Sequence, residues 1–413
     1  MMLRLPIALA LTLFVSQPVL SASLLLQIAA QDQDEINLPV RISVPKSVAK
    51  QAQVAVVALE DGTKLSAQLT PPRLLSDADS ESHRELTFVI PELKAGSKLT
   101  ASVDFGGSLD GANFRWQDEP GKSLDLFDGD KRVLRYMYEA LDDSSPARRR
   151  ETYKVYHHVF DLDGENLLTK GAGGLFPHHR GLFYGFNRIS YVADGKSQKA
   201  DVWHCNNGET QAHIKILQSE AGPVLGRQLL KIEWRGRDGV PFAVERRELT
   251  AYRTPQGRLI EFASRLNSLV EDLKLDGDPQ HAGFQFRATQ FVPDNTAGKT
   301  YYVRPDGKDK PGSFRNWPGH KEHINLPWNV LVFEAFDQTY STCYLDRPTN
   351  PKPARFSERN YGRFGSYFAA DVPQNKPLEV NYRIYLTEGE ISSDAVAASS
   401  ASFIHPPQVS IVE

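Results

Sequence analysis

The sequence predicts an all-β protein: a small, immunoglobulin-like N-terminal β-sandwich followed by a large antiparallel β-sandwich. Three observations carry that expectation. Short runs alternate apolar and polar residues at period two, as Leu38, Val40, Ile42 and Val44 do, and as Leu99, Ala101 and Val103 do. Turn formers are plentiful, with 29 Gly and 26 Pro in 413 residues, and they fall between those runs. Sustained 3.6-residue apolar periodicity is missing, and only the Ala-rich stretch 391–402 reads as a helix.

Taken in chain order, residues 1–22 have the layout of a secretory leader. A short basic start (Met1-Met2-Leu3-Arg4) precedes an apolar run over 5–15 and small residues around a cleavage point after Ser21 or Ala22. That run is too short to span a bilayer, and no later stretch offers 18 apolar residues, so a periplasmic or secreted protein with no membrane span is expected. Residues 23–118 form the small sandwich, with Asp61-Gly62 as a hairpin turn. It holds one histidine, His83, and no chemically useful cluster, which suits a structural or docking module. The Gly- and Pro-containing stretch 106–122 reads as the linker.

Residues 119–413 form the large domain. Strands are expected at 124–127 and 133–138 around the turn Asp128-Gly129-Asp130. A four-stranded meander is expected over 213–266. Its turns are Glu220-Ala221-Gly222-Pro223, Arg237-Asp238-Gly239 and Pro255-Gln256-Gly257. Composition also excludes some functions. A formal charge of −3 provides no basic field for nucleic acid. There is neither a dinucleotide-binding glycine fingerprint nor a phosphate-binding loop. Two cysteines, Cys205 and Cys343, permit one disulfide or two buried thiols.

Ten of the eleven histidines follow residue 150, several in polar, glycine-rich company. In Pro177-His178-His179-Arg180-Gly181 the adjacent histidines point to opposite sides, one toward a pocket and one toward a structural hydrogen bond. Asp201-Val202-Trp203-His204 sets an indole, able to stack on a sugar ring, beside an imidazole; Trp203 in the core is the bland alternative. Glu245 and Arg247 share a face with Ala243, Leu249 and Ala251. A carboxylate so placed is either an acid/base with a raised pKa or a salt-bridge partner. In Gly277-Asp278-Pro279-Gln280-His281-Ala282-Gly283-Phe284-Gln285-Phe286-Arg287, period two puts His281, Gln285 and Arg287 on one face and the phenylalanines on the core face. Asn350 lies in a turn, and Arg359, Tyr361 and Arg363 form a polar, aromatic loop suited to clamping hydroxyls or a carboxylate.

Together with Ser357-Glu358-Arg359-Asn360-Tyr361-Gly362-Arg363-Phe364-Gly365, these segments resemble the PmoA-like family, over about 132–386 and in the same order. That family is of largely unknown function and carries the label of a methane oxygenase subunit. A membrane oxygenase subunit needs several transmembrane helices, which this chain lacks, so methane oxidation is not carried over. The resemblance implies an exported protein linked to carbohydrates.

Three functional expectations follow. The first is a carbohydrate-active enzyme without cofactor: a glycoside hydrolase, lyase or sugar epimerase acting on a small molecule or oligosaccharide. Glu245 and His281 are its acid and base, His178 and Arg180 stabilise developing charge, and Trp203 is the stacking platform. His204, Gln285, Arg287, Asn350, Arg359, Tyr361 and Arg363 bind substrate. The second is a divalent-metal enzyme using His178, His204, His281 and Glu245. The third is a sugar- or partner-binding protein without turnover. The position of Glu245 relative to His281 discriminates among them.

Overall fold

The computed structural model describes residues 23–412, so the expected leader lies outside the described residues. The fold is all-β, and its strands form four sheets. No helix among the described residues is long and apolar enough to cross a membrane.

The first module is one continuous seven-stranded sheet, and its two terminal strands, Glu35–Pro45 and Gln408–Val412, come into contact. It therefore curves around its own core, in which Leu38, Val40, Val57, Leu69, Phe88 and Val103 are almost fully buried. The last strand, Gln408–Val412, pairs with Ser23–Ala29, so the chain returns to the first module at its end. The expected boundary shifts at the linker as well. Phe114–Glu119 pairs with Ser123–Asp128 and belongs to the large domain, because Pro120-Gly121 makes a hairpin turn rather than a flexible link. The Ala-rich stretch is the helix Ser393–Ile404, whose N-cap Ser392 Oγ accepts a hydrogen bond from Ala395 N.

The large domain packs an eight-stranded sheet against a nine-stranded one. The expected meander is present as Thr210–Ala221, Leu225–Arg235, Pro241–Tyr252 and Arg258–Ser268, paired consecutively in the nine-stranded sheet. Aromatic rings fill the space between the sheets. Phe284 stacks on Phe262 with centroids 4.3 Å apart and on Tyr382 at 5.0 Å. Such pairs contribute about 0.5–1.5 kcal/mol each beyond the area they bury.

The expected alternation holds in the strand Ala282–Arg287, where Phe284 and Phe286 enter this core. Gln285 and Arg287 therefore lie on the outer face of the eight-stranded sheet. That face is covered by loops rather than by solvent, and the candidate site lies there. Both cysteines are free and buried.

Candidate functional site

Three loops cover the outer face; each delivers one histidine of a converging trio, and the first also carries His179. The first, 170–181, is fastened from inside and below. Lys170 Nζ donates to the carbonyls of Gly171, Gly173 and Phe176. Arg180 donates to the carbonyls of Pro177, Glu151 and Arg150. The last two carbonyls come from the short helix Pro146–Thr152, which the sequence pattern did not reveal. Gly181 closes the loop with a φ of +38°, and a Cβ there would meet the His157 carbonyl oxygen at 2.0 Å, so only glycine fits. Lys154 Nζ joins this loop to the second by donating to the carbonyls of His178 (2.7 Å) and Trp203 (2.5 Å). Burial drives the Lys154 ammonium well below its ordinary pKa.

The second and third loops use one device twice. Asp201 Oδ1 accepts from the backbone N–H of Trp203 and His204, and its Oδ2 lies 2.8 Å from His204 Nδ1. Asp278 Oδ1 accepts from Gln280 N–H and lies 2.8 Å from His281 Nδ1. Each is an Asp-x-x-His turn in which one carboxylate both closes the turn and orients the imidazole. Asn187 Nδ2 donates to Asp278 Oδ2 at 2.6 Å and steadies the second copy. Burial opposes ionisation of Asp278, but the hydrogen bonds from His281, Gln280 and Asn187 outweigh it and hold the carboxyl well below its usual range. A carboxylate only accepts, so Nδ1 of both histidines carries the proton and Nε2 presents its lone pair.

His178, His204 and His281 converge. Their ring centroids are 4.6 Å (178 to 204), 4.5 Å (204 to 281) and 5.1 Å (178 to 281) apart. One ligating nitrogen from each lies within 4.8 Å of the others. His178 Nε2 is buried without a hydrogen-bond partner. Burial, followed by the charges of Lys154, His204 and His281, lowers the pKa of His178, so the imidazole is neutral. Burial lowers His281 as well, against the pull of Asp278. Neutral imidazole is the ligating form. These three residues fit one divalent cation of the zinc class: three nitrogen donors, with carboxylates behind two of them.

Beneath the trio lie His179, stacked on His281 at 5.1 Å, and Trp203. Trp203 is 1% exposed, with its edge against Phe183 and His179, so it is the floor of the site and not a stacking platform. Arg180 is not a substrate ligand either, because its three contacts are backbone carbonyls. Asn350 lies elsewhere, closing a turn with Asp346 and Asn381.

Gln285 and Arg363 are buried and spend themselves on each other (2.6 Å) and on the Pro279 carbonyl, which positions the third loop. Arg287 is buried under Tyr361, donating to the carbonyls of Tyr361 and Ala288. Arg359 remains at the rim, half-buried, while Tyr361 is buried between Arg287 and Phe176. The exposed ring of Phe176 lies 5.1 Å from Tyr361, and the exposed Phe314 lies 5.2 Å from the Arg359 guanidinium.

Glu245 requires the main correction. It shares a face with Leu249 and Ala251 as expected, but that face looks into the core between the sheets. Its carboxylate binds Arg247 through two 2.8 Å contacts and accepts from Trp234 Nε1 at 2.9 Å. It is fully buried and cannot serve a reaction at His281. The residues that sequence reasoning passed over are Asp201 and Asp278 as orienting groups. Their signal was the repeated Asp-x-x-His spacing. A cleft of about 490 Å³ meets the site at Asn187 and Asp201 and is also lined by Arg188, Lys199, Arg237 and Lys274.

The chain belongs to a family of unknown function, DUF6807, whose model matches residues 123–401. No curated protein matches. Among solved structures, the chain is similar to an α-mannosidase from Enterococcus faecalis V583, with 9% identity and a TM-score of 0.45. That match covers 95% of this chain and 46% of the other. A protein of glycosyl hydrolase family 38 from Enterococcus faecalis gives 10% identity and a TM-score of 0.43, covering 96% of this chain and 48% of the other. The chain thus spans about half the length of these two. A GalM/aldose epimerase homologue from C. elegans gives 9% identity and a TM-score of 0.29, covering 68% of this chain and all of the other.

Proposed function

We propose that this DUF6807 member is a metal-dependent enzyme. His178, His204 and His281 would hold one divalent cation, and the substrate would be a carbohydrate handled outside the cytoplasm. The observation that carries this reading is the pair of Asp-x-x-His turns, which fix two imidazoles in the ligating tautomer beside the unpartnered His178 Nε2.

A bound dication supplies Lewis-acid chemistry, polarising a substrate oxygen or acidifying a water. That suits hydrolase, lyase or epimerase reactions without the Glu245 base. The chain's own residues do the rest. Asp201 and Asp278 hold the tautomers, Lys154 locks two loops together, and Trp203 and His179 exclude water from below. The exposed rings of Phe176 and Phe314 offer apolar faces at the rim, which favours the C–H face of a sugar over a flexible aliphatic ligand. The leader-like segment 1–22 supports the extracytoplasmic setting.

The test is a metal titration of chelator-treated protein with Zn²⁺ and Co²⁺, following bound metal by emission spectrometry and the thermal midpoint in parallel. The expected result is one equivalent bound with a rise in midpoint, both lost in His204→Ala. A wild-type protein that retains no stoichiometric metal overturns the reading.

A further inference from the structure

We infer that the ligand received at this centre is anionic, a sugar carrying a carboxylate or a phosphate, with Arg359 as its anchor. This rests on the metal reading for the site but is carried by a separate observation, the imbalance of charge around the histidines. Lys154, Lys170, Arg180, Arg287, Arg359 and Arg363 surround the three loops. Among the described residues, none of the six has a carboxylate within 4.0 Å; their partners are carbonyls, Gln285 and Ser357. The two aspartates of the site are each committed to a histidine and a turn. A bound dication would add to this excess.

Like charges gathered in a partly desolvated site repel one another, and the groups record it. Burial and then the charges of Arg287 and Arg180 bring Lys170 down to about 7. Burial, partly offset by Tyr361 and reinforced by Arg363, brings Arg287 to about 10. Arg287 is 1% exposed and Arg363 fully buried, yet Arg287 Nε and Nη2 and Arg363 Nε have no hydrogen-bond partner. Folding tolerates unpaired buried cations poorly. An incoming anion is the natural complement to such a field, because a concave site lined by one sign of charge concentrates ligands of the other.

Arg359 is the cation placed to touch the ligand. It is half-buried where the others are enclosed, and it spends one N–H on the Glu358 carbonyl. It lies over the exposed Phe314 ring and within range of the charge on Asp278. A guanidinium lying over the exposed Phe314 ring can pair with an anionic oxygen while that ring and Phe176 cover the sugar.

The experiment uses the full protein loaded with Co²⁺, whose visible spectrum reports a change at the metal. It is titrated with D-glucuronate, D-glucose 6-phosphate and neutral D-glucose. The expected result is at least about tenfold tighter binding of one or both anions than of glucose, falling about tenfold in Arg359→Gln and partly restored in Arg359→Lys, with Co²⁺ affinity unchanged. The two anions separate a carboxylate site from a phosphate site. Equal binding of glucose, no response to either anion, or an unaltered Arg359→Gln overturns the inference while the metal reading stands. Should Co²⁺ fail to bind, the metal reading falls. The same three sugars are then compared by thermal shift on the metal-free protein, where a preference for the anions upholds the inference and its absence overturns it.

Discussion

The molecule handles buried charge in two opposite ways. At the junction between the first module and the nine-stranded sheet, carboxylates are shared between guanidiniums. Glu261 bonds Arg41 at 2.5 Å and Arg383 at 2.6 Å, and Glu85 bonds Arg227 at 3.1 Å as well as Arg73. Tyr252 accepts from Arg41 and completes the network. At the histidine site the cations face carbonyls and one another, and several donors are unpartnered. At the junction Arg227 Nε and Arg347 Nε are unpartnered as well, but the guanidiniums Arg41, Arg383, Arg227 and Arg73 each pair with a carboxylate of the chain. The cations of the site have no carboxylate partner among the described residues, which is the imbalance on which the proposed anionic ligand rests.

The comparison breaks most sharply at Glu261. Glu261→Ala strands Arg41 and Arg383, and removing one partner of a buried pair costs about 3–5 kcal/mol, which denaturant unfolding will read. Its folded pKa lies well below the ordinary value; burial works against this, and the charges of Arg41 and Arg383 overcome it. The stability it provides is therefore present above the usual carboxylate range and lost as pH falls below it. A neutral effect of Glu261→Ala would mean that the junction is not an ionic clamp.

The site should behave conversely. Stripping metal from the loaded protein should lower stability by about 2.7 kcal/mol when metal had been held at a hundredfold over its dissociation constant. His281→Ala should abolish that difference while leaving the metal-free midpoint nearly unchanged. A His281→Ala protein that unfolds outright would make His281 a structural residue. Asp201→Asn should weaken metal binding by about 10- to 100-fold without abolishing it, measured by competition with a chromogenic chelator. Loss no greater than in a surface control would detach Asp201 from the centre.

The smallest effect sharpens the junction side. Glu35 is its exception, with both carboxylate oxygens buried and unpartnered. Burial, only partly offset by Arg383, raises its pKa to about 7. The unfolded chain then releases this proton first, so stability falls as pH rises from the ordinary value of 4.5 toward 7. Glu35→Gln should raise the thermal midpoint by a few degrees at pH 8 and leave it unchanged at pH 4.5. Equal midpoints at both pH values would show that Glu35 is not desolvated.

Much of the fold was legible because its signals are local. Period-two alternation, the turns of the 213–266 meander and the Ala-rich helix each depend on a few neighbouring residues, and all appear where the sequence places them. The module boundary was not legible, since a Glu-Pro-Gly stretch reads alike as a linker and as a hairpin until a partner strand is known. The histidines could be picked out by their company; the repeated Asp-x-x-His turn, a local hydrogen-bonding device, left its spacing in the sequence but was passed over.

What the sequence determined by itself is therefore the all-β class, the order of most strands and the residues that share a face. What only the tertiary structure decided is which faces meet. Glu245 lies on the face that alternation assigns, but a second sheet covers it, and a carboxylate enclosed on both sides becomes an ion pair rather than a base. His178, His204 and His281 lie far apart in the chain and reach one point only because three loops fold over the same side of the eight-stranded sheet. No local pattern encodes that meeting: side-chain periodicity fixes direction relative to one strand, while convergence depends on how separate strands and loops are packed together.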